Sequence, residues 1–203
     1  MATTSVVISD SKNYQKGENV MPMHFNWIMN YIVICLTFAS LQTPFETKVF
    51  KSIKIGAKNG QELAGEIKSN GMIIGEWTKD VLNQKFPVGI KEQRINLVAV
   101  SVEDLGFRRG ARRDEIYSRA KALGFELCPS EVGPQLRLQH LDQPLYEWLV
   151  IGMRPITSSD GGFGIFLVGH GHRGIYLIGY YGDEDYFWDK DSRFVFVQPQ
   201  KSR

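Results

Sequence analysis

The stretch GIFLVGHGHRGIYLIGYY, residues 164–181, decides the fold that the sequence predicts. Two apolar runs rich in β-branched and aromatic residues, 165–168 and 175–178, flank a short polar turn, which is the pattern of a β-hairpin. Apolar side chains occupy both alternating sets of positions in each run. Because successive side chains of a strand point to opposite faces, the predicted sheet must be covered on both sides.

Similar runs extend the predicted sheet on either side of the hairpin. The sequences 147–156 and 193–199 resemble the two hairpin strands, so that residues 147–199 predict a four-strand antiparallel meander. Residues 48–56 and 94–102 predict two earlier strands, and the Pro- and Gly-punctuated block 126–140 predicts a loop that leads into a short strand at 136–138.

Helical periodicity is confined to the first half of the domain. Residues 61–70, the segment from Ile74 to the Phe86-Pro87 boundary, and residues 110–125 show apolar positions at helical spacing. The first two helices resemble a DNA-binding helix-turn-helix in outline. The second, however, carries Glu76 and Asp80 against one lysine, whereas a recognition helix needs cationic or amide side chains. This favours a hairpin of two helices that only pack on the domain. The fold class predicted is α+β, with two or three helices packed on a mainly antiparallel sheet and the C-terminal meander.

Composition and charge exclude few functions by themselves. The chain has 203 residues, 43% of them hydrophobic, and a formal net charge of +2, which announces neither a nucleic-acid nor a membrane partner. The charge is unevenly distributed, since residues 46–125 sum to +5 and residues 126–203 to −3. The only cysteines, Cys35 and Cys128, lack a disulfide or zinc pattern, so we expect a reducing, cytoplasmic location.

The first 45 residues form an apolar N-terminal appendage, and residues 46–203 are predicted to be a single α+β domain. No Lys, Arg, Asp or Glu occurs between Asn19 and Phe45. Residues 24–41 are open to three interpretations, namely a segment packed on the domain, a cleaved or membrane-anchoring segment, and a poorly ordered extension. Polar residues interrupt the run and the flanking lysines are distant, so we do not expect a membrane partner.

Three blocks of the sequence carry a resemblance to known proteins: LGFRRGARRDEIYSRAKALGF, ELCPSEVGPQLRLQH and the final SRFVFV. They resemble a family of uncharacterised small bacterial proteins over about residues 50–198. The resemblance implies no activity. It suggests that the domain proper begins near Val49 and that the first 45 residues are an addition.

The hairpin turn holds the most obvious candidate metal ligands. His170 and His172 lie two residues apart, so on a strand both side chains point to one side, as in a His-x-His metal pair. In an up-and-down meander, however, the acidic loop 183–191 lies at the opposite end of the sheet. We therefore predict a solvated turn, with no metal ion and no cofactor. A basic turn that contacts a phosphate group or a partner is the alternative at this position, and a calcium site in the acidic loop is a weaker one.

The helix at 110–124 gives the strongest binding signal. It and the residues before it are rich in arginine and lysine, which suit phosphate groups. Half of the 24 aromatic residues lie between 146 and 196, as a single-strand-binding sheet would require. The predicted nucleic-acid-binding residues are Arg108, Arg109, Arg112, Arg113, Tyr117 and Lys121.

The leading functional hypothesis is thus a non-catalytic binding or interaction module with a nucleic-acid or protein partner. The alternative is a small hydrolase or nuclease, so the sequence leaves open whether the protein is an enzyme. In that alternative Cys128 is the nucleophile and His140 the base, with Glu131 and Arg137 in support and perhaps His170 and His172 nearby. It requires these side chains to converge in one cleft.

Overall fold

A curled sheet organises residues 48–199, which are the part of the chain that the computed structural model describes. The sheet order is β1-β3-β10-β5-β7-β8-β2, with β6 paired to β7, and β4 and β9 form a separate two-stranded ribbon. The strands are β1 (Lys51–Ile55), β2 (Ile73–Ile74), β3 (Gln93–Ser101), β4 (Ala111–Arg112), β5 (Trp148–Ile151), β6 (Ile156–Thr157), β7 (Phe163–Gly171), β8 (Gly174–Tyr181), β9 (Phe187–Trp188) and β10 (Arg193–Gln198).

Four helices accompany the sheet in this part of the chain, so the α+β class is confirmed with more helices than expected. They are α1 (Gly60–Ser69), α2 (Glu76–Asn83), α3 (Arg113–Ala122) and α4 (Val132–Gln139). The predicted central hairpin is also confirmed, because β7 and β8 pair antiparallel from Gly164 and Tyr181 to Gly171 and Gly174. Gly174 closes the turn at a φ of +130°, a conformation that disfavours any other residue.

The predicted C-terminal meander is wrong in its last step. Strand β10 does not lie beside β8 but between β3 and β5, antiparallel to the first and parallel to the second. Residues 182–192 therefore run from the end of the strands where β8 finishes to the opposite end, where β10 begins. They include the short strand β9. The strand pattern predicts which residues are extended, whereas strand neighbours depend on how the connections pack.

The loop and short strand predicted for residues 126–140 are also wrong in part, because residues 132–139 form α4. Pro134 is the third helical residue, where the missing N–H would have had no partner within the helix. Gly133 faces the fully buried Phe166, and a Cβ there would lie 2.5 Å from the phenyl ring. The glycine and proline that suggest a loop thus serve the close packing of a helix on the sheet.

The two faces of the sheet are covered by different elements. On one face, Phe166 packs against Trp77 of α2 and against Phe86, with ring centroids 5.4 and 6.0 Å apart. On the other face, Tyr117 of α3 packs against Phe194 and Phe196 of β10. The helices α1 and α2 pack together as the predicted helical hairpin, with the short strand β2 inserted between them.

Residues 1–47 and 200–203 lie outside the described part of the chain. The predictions for the appendage at 1–45, and for residues 24–41 as a packed, cleaved or anchoring segment, fall there and stay predictions. Within residues 48–199, no helix is long and apolar enough to cross a membrane.

Candidate binding groove

A groove of about 1160 Å³ opens on the sheet face that carries Phe194. Its floor consists of Val150 of β5, Leu167 of β7 and Ile178 of β8, which are direct cross-strand neighbours. Residues 188–193, at the end of the crossing segment, form one wall, and residues 144–148 form another. The unpredicted crossing of the chain over the sheet therefore creates the groove.

Aromatic side chains line the groove above this aliphatic floor. Trp148 and Tyr180 keep 38% and 36% of their surface exposed, which is high for rings that lie on a packed sheet. The Trp148 ring lies directly against Gly169, where a Cβ would be 2.1 Å from the indole. Tyr180 packs against the buried Trp188 with ring centroids 5.3 Å apart. The two exposed rings are thus held in place by the sheet and by the crossing segment.

The rim of the groove is charged but balanced. It holds three cations and three carboxylates, namely Arg109, Lys190, Arg193, Glu147, Asp189 and Asp191. Arg193 donates to Glu147 Oε1 at 2.5 Å, and Lys190 Nζ lies 3.4 Å from Asp191 Oδ1. A rim of this kind does not concentrate a field of one sign, so it favours a ligand with both polar and apolar groups.

The predicted nucleic-acid-binding residues divide into two groups. Arg113 is only 5% exposed, and its guanidinium donates to the carbonyl of Gly182 at 2.5 Å. Tyr117 is buried and donates to the carbonyl of Met153 at 2.9 Å; burial also raises its pKa. Neither side chain is available to a ligand, because both face the sheet rather than solvent.

The other four predicted residues are exposed, and they are Arg108, Arg109, Arg112 and Lys121. Arg109 lines the groove, whereas Lys121 lies beside a separate cleft with Arg154. The three exposed arginines of the predicted set, Arg108, Arg109 and Arg112, therefore lie in the segment before α3. The groove and this basic segment meet at Arg109.

The hydrolase alternative fails at its proposed nucleophile. The thiol of Cys128 is buried and donates to the carbonyl of Val195 at 3.4 Å. Burial raises the pKa of this thiol well above its ordinary range, so that it stays neutral and unreactive. Glu131 is buried elsewhere and accepts from the backbone N–H groups of Gly56 and Gly89 at 2.6 and 2.8 Å.

The other residues of the proposed catalytic set also have structural roles. Arg137 is fully buried and donates to Gln143 Oε1 at 2.5 Å, to the carbonyl of Gly169 at 3.2 Å and to the carbonyl of His140. Burial lowers the pKa of Arg137 to about 10, which leaves it charged at neutral pH. Within residues 48–199, no hydrogen bond joins the side chains of the four proposed catalytic residues to one another. The cleft that Cys128 lines contains none of the other three.

His140 instead belongs to a charged network beside the groove. Its Nδ1 lies 3.1 Å from Asp142 Oδ1 and its Nε2 lies 3.3 Å from Glu147 Oε2. Lys51 donates to the same Asp142 oxygen at 2.8 Å, and this bond holds the pKa of that carboxyl below its usual range. The network ties the loop after α4 to strand β1 and to the groove rim.

The turn of the central hairpin is tied to the same loop. His170 Nδ1 lies 2.7 Å from the carbonyl of Gln143, and His172 Nε2 lies 2.6 Å from the hydroxyl of Tyr146. The crossing segment returns Asp189 and Asp191 to this end of the sheet, contrary to the separation that a meander predicts. Even so, residues 48–199 contain no group of three or more His, Cys, Asp or Glu side chains that could hold a metal ion.

Of the groove residues, the sequence pattern singled out Arg109 as a binding residue but neither of the exposed rings, Trp148 and Tyr180. The concentration of aromatic residues between 146 and 196 was a signal, but alternation alone does not tell which rings on which face stay uncovered. Tyr117 of α3 and Trp188 of the ribbon both pack on Phe194 of β10, and Trp188 also packs against Tyr180. Comparisons with protein-family models, with curated proteins and with solved structures found no match.

Proposed function

We propose that the protein is a non-catalytic interaction module and that its groove binds an extended segment of a protein partner. The observation that carries the proposal is the pair of half-exposed rings, Trp148 and Tyr180, above an apolar floor inside a rim of balanced charge. Interfaces draw most of their binding energy from tryptophan, tyrosine and arginine in such settings. The groove offers all three residue types, since Arg109 lies on its rim.

The length of the groove fits a peptide better than a compact small molecule. Tyr180 and Tyr176 are four residues apart on β8, which spans roughly 13 Å at about 3.3 Å per residue. Tyr176 packs against Trp148 with centroids 5.8 Å apart, so that aromatic rings mark both ends of the aliphatic floor. An extended chain with an apolar anchor and charged neighbours matches this order of surfaces.

Replacing Trp148 by Ala is expected to weaken peptide binding by about 30-fold, the effect of removing one hot-spot residue. Linear peptides selected from a random phage-displayed library on the full-length protein serve as probes, and their dissociation constants are measured by isothermal titration calorimetry. The indole N–H resonance of Trp148 is expected to shift when a selected peptide binds.

Phe163→Ala provides the matched control, because Phe163 is an exposed aromatic residue that does not line the groove. This variant is expected to bind the selected peptides as the wild type does. Peptides that bind the Trp148 and Phe163 variants with equal affinity would contradict the assignment of the groove.

Single-stranded nucleic acid is a second candidate ligand, favoured by the exposed residues Arg108, Arg109 and Arg112. If these arginines contact phosphates, affinity must fall steeply with salt, since bound counterions are released. Each arginine replaced by alanine is then expected to reduce the slope of log K against log salt by about one. The measurement is fluorescence anisotropy of a labelled oligonucleotide from about 50 mM salt upward, with exposed Lys85→Ala as the control; absence of binding at about 50 mM salt removes this candidate.

A further inference from the structure

A β-bulge interrupts the pairing of β5 and β7 at the wall of the groove. Beyond the pair formed by Trp148 and Gly169, two residues lie opposite His170 in place of one. His170 N–H donates to the carbonyl of Glu147 at 3.1 Å, but the carbonyl of His170 accepts from the N–H of Tyr146 at 2.7 Å. A regular antiparallel pair would use Glu147 for both bonds. Tyr146 is therefore the extra residue, and a bulge of this kind re-aims the side chain that it carries.

The backbone of Tyr146 has a conformation that suits glycine. Its φ is +67°, in the left-handed region. In bulges whose first residue is left-handed, that residue is usually glycine, because a Cβ is strained there. The other non-glycine residue with a positive φ between residues 48 and 199 is Ala57, whose side chain is a single methyl group. A bulky aromatic residue at position 146 thus lowers the stability of the fold.

Contacts within the described part of the chain do not account for this tyrosine. Tyr146 keeps 56% of its surface exposed, so it buries little apolar area. Among residues 48–199, its hydroxyl has one hydrogen-bond partner, His172, whose Nε2 lies 2.6 Å away, and its ring packs on the same imidazole with centroids 5.0 Å apart. His172 is itself exposed, and an exposed hydrogen bond contributes little to stability. The ring does, however, line the groove together with Leu145 and Trp148.

We propose that Tyr146 is a specificity-determining residue of the groove and that it contacts a bulky apolar side chain of the bound peptide. Leu145, Tyr146 and Trp148 are all exposed, and they make this wall an apolar patch of the kind that marks interaction sites. Glu147, the charged residue between Tyr146 and Trp148, accepts from Arg193 at 2.5 Å. Because that carboxylate is engaged, the wall favours an apolar side chain over a charged one. This role of Tyr146 rests on the proposed peptide binding and specifies which kind of side chain the wall selects.

Tyr146→Asn tests whether the tyrosine serves binding rather than folding. Asparagine tolerates the left-handed region and lacks the ring. The variant is expected to raise the midpoint of urea unfolding by about 0.3 M, because relief of the backbone strain outweighs the loss of one exposed hydrogen bond. Its affinity for the peptides selected on the wild type is expected to fall about 10-fold. A midpoint below that of the wild type would overturn the proposal, since Tyr146 would then be a structural residue.

Ala57→Asn is the matched control for the relief of strain. Ala57 has a φ of +65°, is exposed and lies outside the groove. This variant is expected to raise the urea midpoint as Tyr146→Asn does and to bind the selected peptides as the wild type does. Tyr146→Phe keeps the ring and removes only the hydroxyl, so its affinity is expected to stay within about 3-fold of that of the wild type.

An alanine scan of one selected peptide identifies the side chain that Tyr146 contacts. On the wild type, replacing one apolar peptide residue by alanine is expected to weaken binding about 10-fold, whereas on Tyr146→Asn the same replacement is expected to weaken it less than about 2-fold. A structural role for Tyr146 would weaken the binding of all peptide variants equally. If Trp148→Ala weakens binding but Tyr146→Asn does not, or if the coupled side chain is charged, the role of Tyr146 is wrong while the groove assignment stands. If the wild type selects no peptide, the proposed function fails, and the role of Tyr146 with it.

Discussion

Arg137→Met is expected to lower the free energy of unfolding by about 3 kcal/mol. Arg137 is fully buried, and no carboxylate of residues 48–199 pairs with it; it donates to two backbone carbonyls and to Gln143 Oε1. Hydrogen bonds from a charged donor contribute about 1.5–3 kcal/mol each, and methionine deprives all three acceptors of the guanidinium donor. Methionine is neutral, so the variant avoids the cost of burying a charged guanidinium. This gain offsets part of the loss, and the net effect is smaller than the sum of the three hydrogen bonds.

Urea denaturation followed by circular dichroism measures the change. Arg119→Met is the matched control, since Arg119 is exposed and its side chain makes a single hydrogen bond within residues 48–199, from Nε to the carbonyl of Leu105 at 3.1 Å. It should cost about 1 kcal/mol or less. If Arg137→Met were as stable as the wild type, the desolvation of the guanidinium would outweigh its hydrogen bonds, and Arg137 would not be what holds the loop after α4.

The local pattern of the sequence predicts the central hairpin, most strands and three of the helices, because each depends on periodicity within a short segment. The position of β10 depends on the 11-residue crossing from β8, and no local pattern encodes which strands that crossing passes. Helix α4 was missed for a related reason. Gly133 and Pro134 are poor helix residues in isolation, but tertiary packing against Phe166 requires a residue without a Cβ.

The candidate sites show the same division between local and global information. Arginine-rich composition marks the segment 108–113, yet the helical period cannot show that Arg113 reaches across to Gly182. Likewise, Cys, Glu, Arg and His within 13 residues resemble a catalytic set in sequence. In the structure each of them satisfies a different part of the backbone or a different carboxylate. Groove residues 144–180 come together through the pairing of β5, β7 and β8, whereas residues 188–193 join them only through the crossing of the chain.

Glu131→Ala is expected to lower the free energy of unfolding by about 3–5 kcal/mol, the largest effect that we predict. The two carboxylate oxygens of Glu131 accept from Gly56 N–H and Gly89 N–H, and both oxygens are buried with the residue. These bonds join two loops, because Gly56 follows β1 and Gly89 precedes β3. The first loop turns through positive φ angles at Gly56 and Ala57, a conformation that needs support from its surroundings. Alanine removes that support and leaves two N–H donors without an acceptor.

Glu131→Gln separates the charge of this side chain from its shape. The amide keeps one acceptor oxygen but turns its NH₂ toward the second glycine N–H, so about half of the loss is expected, roughly 1.5–3 kcal/mol. Exposed Glu126→Ala is the control and should change the stability by about 0.5 kcal/mol or less. If the carboxylate stabilises both loops, urea denaturation of the four proteins is expected to show a free energy of unfolding that decreases from the wild type to Glu131→Gln and then to Glu131→Ala. Equal stability of the Gln variant and the wild type would mean that one of the two loops keeps its conformation without a hydrogen bond to residue 131, since a single acceptor oxygen would then suffice.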